Sequence, residues 1–156
     1  MEFFTMPEFS RSTTAQKLKI DNTPKGKEKE NLEALVDNVL DPVRKEWGHP
    51  INVTSGYRSL ELNKAVGGAG KSQHQTGEAA DIVAGGKFKG KENNFAIGKM
   101  IVRRGVFDQI IFEDCGKDDL LPRWIHVSYS RTKNRHQILK MVGGKYLPIT
   151  MKDLGL

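Results

Sequence analysis

Residues 72–84 read Ser72-Gln73-His74-Gln75-Thr76-Gly77-Glu78-Ala79-Ala80-Asp81-Ile82-Val83-Ala84. The first seven are polar and include a glycine, the composition of a loop. The last six are small or apolar apart from Asp81, and they read as a buried strand. The stretch therefore sets His74 in a loop and Asp81 in the strand that follows it.

Working outward, Ile51 to Tyr57 alternates and reads as a strand. Ser59 can cap a short helix that runs to Val66 and stops at Gly67-Gly68. Further upstream, Leu32, Leu35, Val36, Val39, Leu40 and Val43 recur at three- and four-residue steps, so residues 30–47 form an amphipathic helix ended by Gly48 and Pro50. Residues 7–18 read as another helix and 19–30 as a loop. Downstream, Gly85 to Lys91 is a turn and 92–103 a helix burying Phe95, Ile97, Met100 and Ile101. Strands are expected at 108–113, 124–130 and 137–142. Helices early and strands late predict an α+β fold, a small, mostly antiparallel sheet flanked by helices. A length of 156 residues suits a single domain over 1–156.

Composition narrows the function. Hydrophobic residues make up 37% of the chain, yet none of its apolar runs approaches the roughly 20 residues that span a bilayer, so membrane insertion is not expected. The first residues lack a basic segment followed by an apolar one, so the expectation is synthesis in the cytoplasm without a secretory signal. An extracellular site of action then requires release by lysis, delivery on a particle, or another export route. The single cysteine, Cys115, excludes an internal disulfide and reads as an incidental loop thiol beside Glu113 and Asp114. The net charge is +6, but the basic residues are scattered and not interleaved with aromatics. That pattern gives weak attraction to polyanions and no specific nucleic-acid binding. A monomer is expected.

The chemistry lies in the histidines. A mononuclear catalytic zinc takes three protein ligands and leaves a position open. His74 from the loop, Asp81 from the next strand and His126 from Trp124-Ile125-His126-Val127-Ser128 make such a set. In that last strand Trp124, His126 and Ser128 share one face.

The segment 51–59 (Ile-Asn-Val-Thr-Ser-Gly-Tyr-Arg-Ser), Asn63, Gly67-Gly68, the run Ser72 to Asp81 and the run Trp124 to Ser128 together resemble the M15 family of zinc peptidases. The likeness is greatest to its M15A branch of D-Ala-D-Ala carboxypeptidase-like proteins of phages and bacteria, and it runs from about Phe9 to Ser130. The resemblance implies an M15/hedgehog-like fold, Zn2+ as cofactor held by His74, Asp81 and His126, and a peptidoglycan peptide as substrate. It also implies that Arg58 meets a substrate carbonyl or carboxylate, a role a planar guanidinium suits. The alternative is that Arg58 clamps a neighbouring loop. Ser72 either donates to substrate or holds its own loop. Gln109, Trp124 and Ser128 are the other candidate substrate contacts.

One position departs from the family. Many relatives carry an acid three residues before the last histidine, where this chain has Arg123. A general base must come from elsewhere. Glu113 is the candidate: Gln109, Ile111 and Glu113 share a strand face, which meets the His126 face if the two strands pair. The alternatives are Asp114, Asp118 and Asp119, with Glu113 as an edge charge. His49 and His136 read as surface residues, and Glu78 as solvated or capping. The expected function is zinc-dependent hydrolysis of amide bonds in peptidoglycan stem peptides, by a carboxypeptidase or a lytic endopeptidase. The alternative is a catalytically weak or inactive module that binds wall peptide.

Overall fold

The computed structural model describes residues 1–156. The six apolar residues at helical spacing are all buried, and they lie on one helical run. That run comprises α3 (Gly26–Leu35), a widened turn (Val36–Leu40) and α4 (Asp41–Trp47). It begins at Gly26, so helix occupies the end of the expected 19–30 loop. In the widened turn the Asp41 N–H reaches back to the Val36 carbonyl. The irregularity adjoins Pro42, which has no N–H to continue the ladder. Gly48, at φ 76°, closes the run.

The expected helix over 7–18 is two short helices, α1 (Met6–Ser10) and α2 (Thr13–Leu18). Arg11 is extended, and Ser12 Oγ accepts from the Ala15 N–H at 3.1 Å, starting a new helix. Helix α5 (Leu60–Ala65) is capped by Ser59 as its sequence predicts.

Six strands form one sheet in the order β1-β2-β4-β3-β5-β6. They are β1 (Ile51–Ser55), β2 (Ala79–Ala84), β3 (Gln109–Glu113), β4 (Trp124–Ser128), β5 (Gln137–Val142) and β6 (Lys145–Pro148). The sheet is mixed, which corrects the expected mostly antiparallel one: β5 runs parallel to β3. The cause lies in residues 129–136. This connection leaves β4 and passes the start of β3, where the Arg135 N–H donates to Asp108. Strand β5 therefore begins at the same end as β3. Strand β6 was not anticipated. Gly143 and Gly144, at φ 55° and 79°, make the two-residue turn that returns it against β5.

Strand periodicity divides the sheet into two faces. Ala80, Ile82, Ile110, Phe112, Ile125 and Val127 are buried on one face, in a core shared with Ile97 and Ile101 of α6 (Lys91–Arg104). The other face carries Asp81, His126, Ile111 and Leu139 in one cross-strand row. Two residues further along, Trp124 lies opposite Glu113 and Met141 opposite Tyr146. The chemistry thus lies on the face the core leaves free. Cys115 lies in the connection that follows β3, as its sequence predicts. It is buried in the core and donates to the Phe112 carbonyl, and burial, with Asp119 nearby, pushes its pKa up to about 11. None of the helices is long and apolar enough to cross a membrane.

Candidate metal centre

His74 sits on a single 3-10 turn (Gln73–Thr76) between α5 and β2. Ser72 starts that turn, its Oγ accepting from the His74 N–H at 3.2 Å. Gly77 ends it at φ 76°, where a side chain would also collide with the Glu28 carbonyl. The imidazole is 3% exposed, and its Nδ1 lies 2.7 Å from the Gly56 carbonyl oxygen. An acceptor at that distance requires a proton on Nδ1, which turns Nε2 toward Asp81 as the lone-pair nitrogen.

Gly56 is at the end of β1, where the strand bulges and turns away. A Cβ there would collide with the Phe9 carbonyl oxygen, so only glycine lets the backbone pass. The next residue, Tyr57, donates its N–H to that same Phe9 oxygen. A buried α1 residue thus fixes the turn that orients the histidine.

Asp81 and His126 are direct cross-strand neighbours. Asp81 Oδ1 lies 3.1 Å from His126 Nδ1 and 3.5 Å from His74 Nε2. Donor atoms of the three residues all fall within 4.8 Å of one another. Burial by itself would raise the Asp81 pKa. The His126 and His74 imidazoles, when protonated, outweigh it and hold the carboxyl well below its usual range. Two imidazoles and an ionised carboxylate converging at the floor of a cleft suit a divalent metal such as zinc.

The cleft has a volume of about 810 Å³, room for several residues of a peptide. Glu113 lines it, one two-residue step along the sheet from the Asp81–His126 row. It is 6% exposed. Burial, then the charges of Asp81 and Asp114, raise its pKa to about 7. Arg58, Ser72, Gln109 and Trp124 also line the cleft. The Arg58 N–H donates to the His74 carbonyl, while its buried Nε has no partner.

Ser128 departs from expectation. It is fully buried, accepts from the Gln109 N–H and donates to Asp108, so it braces β3 and does not reach the cleft. Arg123 points outward in an ion pair with Asp114. Asp118 and Asp119 lie on a separate hollow beside Phe95 and Ile149. His49 is stacked on Phe88 with 3.7 Å between ring centroids, and His136 packs against Phe107. Glu78 accepts from Thr76.

Sequence reasoning missed Gln73, Asp108, Arg135 and Tyr146. Asp108 is buried and accepts from the Gln73 side chain and from the backbone and guanidinium of Arg135. Tyr146 reaches the cleft from β6, and the Gly143-Gly144 pair was the signal that could have revealed it.

The profile of a family described as Peptidase M15 matches residues 2–114. That span includes Arg58, His74, Asp81 and Glu113 and ends before His126. A zinc D-Ala-D-Ala carboxypeptidase from Streptomyces albus G is 53% identical over 36 residues. The aligned segment is 23% of this chain and spans 14% of that relative's length.

Proposed function

The chain belongs to the peptidase M15 family with zinc as its cofactor, and from that premise we propose that it is a peptidase hydrolysing amide bonds in the peptides of bacterial peptidoglycan. Residues 1–156 act as one peptidase domain in this reading. His74, Asp81 and His126 hold the metal. Zinc bound there supplies Lewis-acid chemistry, polarising a carbonyl and making water more acidic.

The protein's own residues supply the remainder. Glu113 is the general base. It takes a proton from the attacking water as the C–O bond forms, and it delivers that proton to the departing amine nitrogen as the C–N bond breaks. Burial and the neighbouring carboxylates raise its affinity for a proton, which suits a group that both accepts and returns one. Arg58, whose buried Nε is unpaired, donates to the substrate's carbonyl or carboxylate. Trp124 forms an apolar wall, and Ser72 and Gln109 supply polar contacts along the cleft.

The observation that carries this reading is one buried carboxylic acid with a raised pKa beside a His–Asp–His donor set in one cleft. The test is to incubate purified protein with defined stem peptides and follow products by mass spectrometry. Amide cleavage that a chelator abolishes and zinc restores is expected, and its absence overturns the proposal. Glu113→Gln should lower kcat by about 10²- to 10⁴-fold while zinc still binds.

Arg123 favours a second reading, a module that binds wall peptide without turnover. If wild type cleaves and Glu113→Gln binds zinc but does not cleave, that reading fails.

A further inference from the structure

The cleft does not end at Glu113. Leu139 and Met141 of β5 and Tyr146 of β6 line it beyond that carboxyl. The strand order β2-β4-β3-β5-β6 sets these three on one side of Glu113 and the donors Asp81 and His126 on the other. Leu139 is the register partner of Ile111 on β3, and Met141 is that of Tyr146. The β3–β5 pairing runs to Phe112 and Lys140, and one position further on the Cys115 N–H donates to the Met141 carbonyl. Met141 is therefore the next-strand neighbour of Glu113, with about 5 Å between backbones, and Tyr146 follows at about 10 Å.

This part of the cleft is apolar by strand alternation. Lys140 lines a separate hollow and donates to the Asp119 carbonyl there, and Lys145 takes the alternate position to Tyr146. The cationic lining residues come from elsewhere. Arg58 and Lys71 belong to the segment that carries His74. Arg135 is tied to Asp108 four residues before Leu139, about 13 Å of extended chain. Tyr146 is 56% exposed, so its ring is free to meet a ligand.

Glu113 fixes the direction of the bound peptide. A carboxyl that returns its proton to the departing nitrogen must adjoin that nitrogen. The released segment then begins beside Glu113, and the next side chains it meets are those of β5 and β6. We infer that Leu139, Met141 and Tyr146 form the subsite for the residue that carries the departing nitrogen, and that they select an uncharged, apolar side chain there. A charged side chain would give up hydration over these three residues with no opposite charge to meet it. The inference rests on the peptidase reading above and adds which residue the cleft selects on the amine side of the cut. All three residues lie outside the span 2–114 that the family profile matches, so the family match does not supply this selection.

The test first digests purified peptidoglycan with the zinc-loaded protein. Dinitrophenylation and mass spectrometry then identify the residue that carries each new amino group. Capped peptides spanning that bond are made with alanine, leucine, glutamate or lysine at that residue, in its native configuration. Wild type should prefer alanine or leucine over glutamate and lysine by roughly tenfold or more in kcat/KM. Tyr146→Lys, at an exposed position on the edge strand, should raise the glutamate-to-leucine ratio severalfold with an unchanged melting temperature. A structural role for Tyr146 would not move that ratio. New amino groups on a charged residue, equal cleavage of charged and apolar peptides by wild type, or a ratio unmoved in Tyr146→Lys overturns the inference and leaves the peptidase reading intact. If no amide is cleaved, the peptidase reading fails and the inference falls with it.

Discussion

Glu113 lines the cleft one two-residue step from the Asp81–His126 row. Its carboxyl is buried, and its pKa is raised from an ordinary 4.5 to about 7. Between those values the folded protein holds a proton that the unfolded chain has released. By linkage, the metal-free protein must lose stability as pH rises through that window, by an amount on the order of 2 kcal/mol. Urea denaturation of the metal-free protein from pH 4 to 8 should show the decline, and Glu113→Gln should flatten it. A wild-type profile that rises between pH 5 and 7 would contradict the assignment of a neutral Glu113. The position was legible in the sequence because a strand's period of two sets Glu113 and His126 on faces that meet when β3 and β4 pair. The raised pKa was not legible, since it depends first on burial and then on Asp81 arriving from another strand. Asp108 was invisible for the same reason: nothing local marks a strand-edge aspartate as buried until Gln73 and Arg135 close over it.

At the scale of elements, the site depends on where β1 stops. The strand ends at Ser55, and Gly56 crosses the Phe9 backbone of α1 while its carbonyl holds the His74 ring. Gly56→Ala forces a methyl into the Phe9 carbonyl, and Phe9 is fully buried and cannot yield. We expect a loss of about 2–3 kcal/mol in urea denaturation, with weaker zinc binding as the His74 ring loses its anchor. A loss under about 0.5 kcal/mol would mean the α1–β1 contact is not the constraint described here. The long helix and the α5 cap were readable, because periodicity and capping are local signals. The split of α1 from α2 and the parallel β5 were not. The first turns on one serine competing for a backbone N–H, and the second on a connection anchored by Arg135 to Asp108. The β5–β6 hairpin was readable from Gly143-Gly144, yet a four-residue exposed strand has no alternation to announce it.

For the molecule as a whole, a mixed sheet buries one face under α6 and the N-terminal helices and leaves the other to the cleft. The +6 net charge is not spread evenly with respect to function. Arg58, Lys71 and Arg135 face the cleft, while Arg123, Arg103 and Arg131 are committed to surface ion pairs. The α+β class and the three convergent donors could be read from motif order and strand logic. The mixed topology and the chain's cationic cleft required the fold. All of this presupposes that His74, Asp81 and His126 bind zinc together. The most direct measurement is the zinc affinity of the purified protein beside that of His126→Ala and Asp81→Asn. One zinc per chain is expected, with a loss of affinity of roughly a hundredfold or more in each variant. Wild-type affinity retained by either variant, or no stoichiometric zinc in the parent protein, would contradict it.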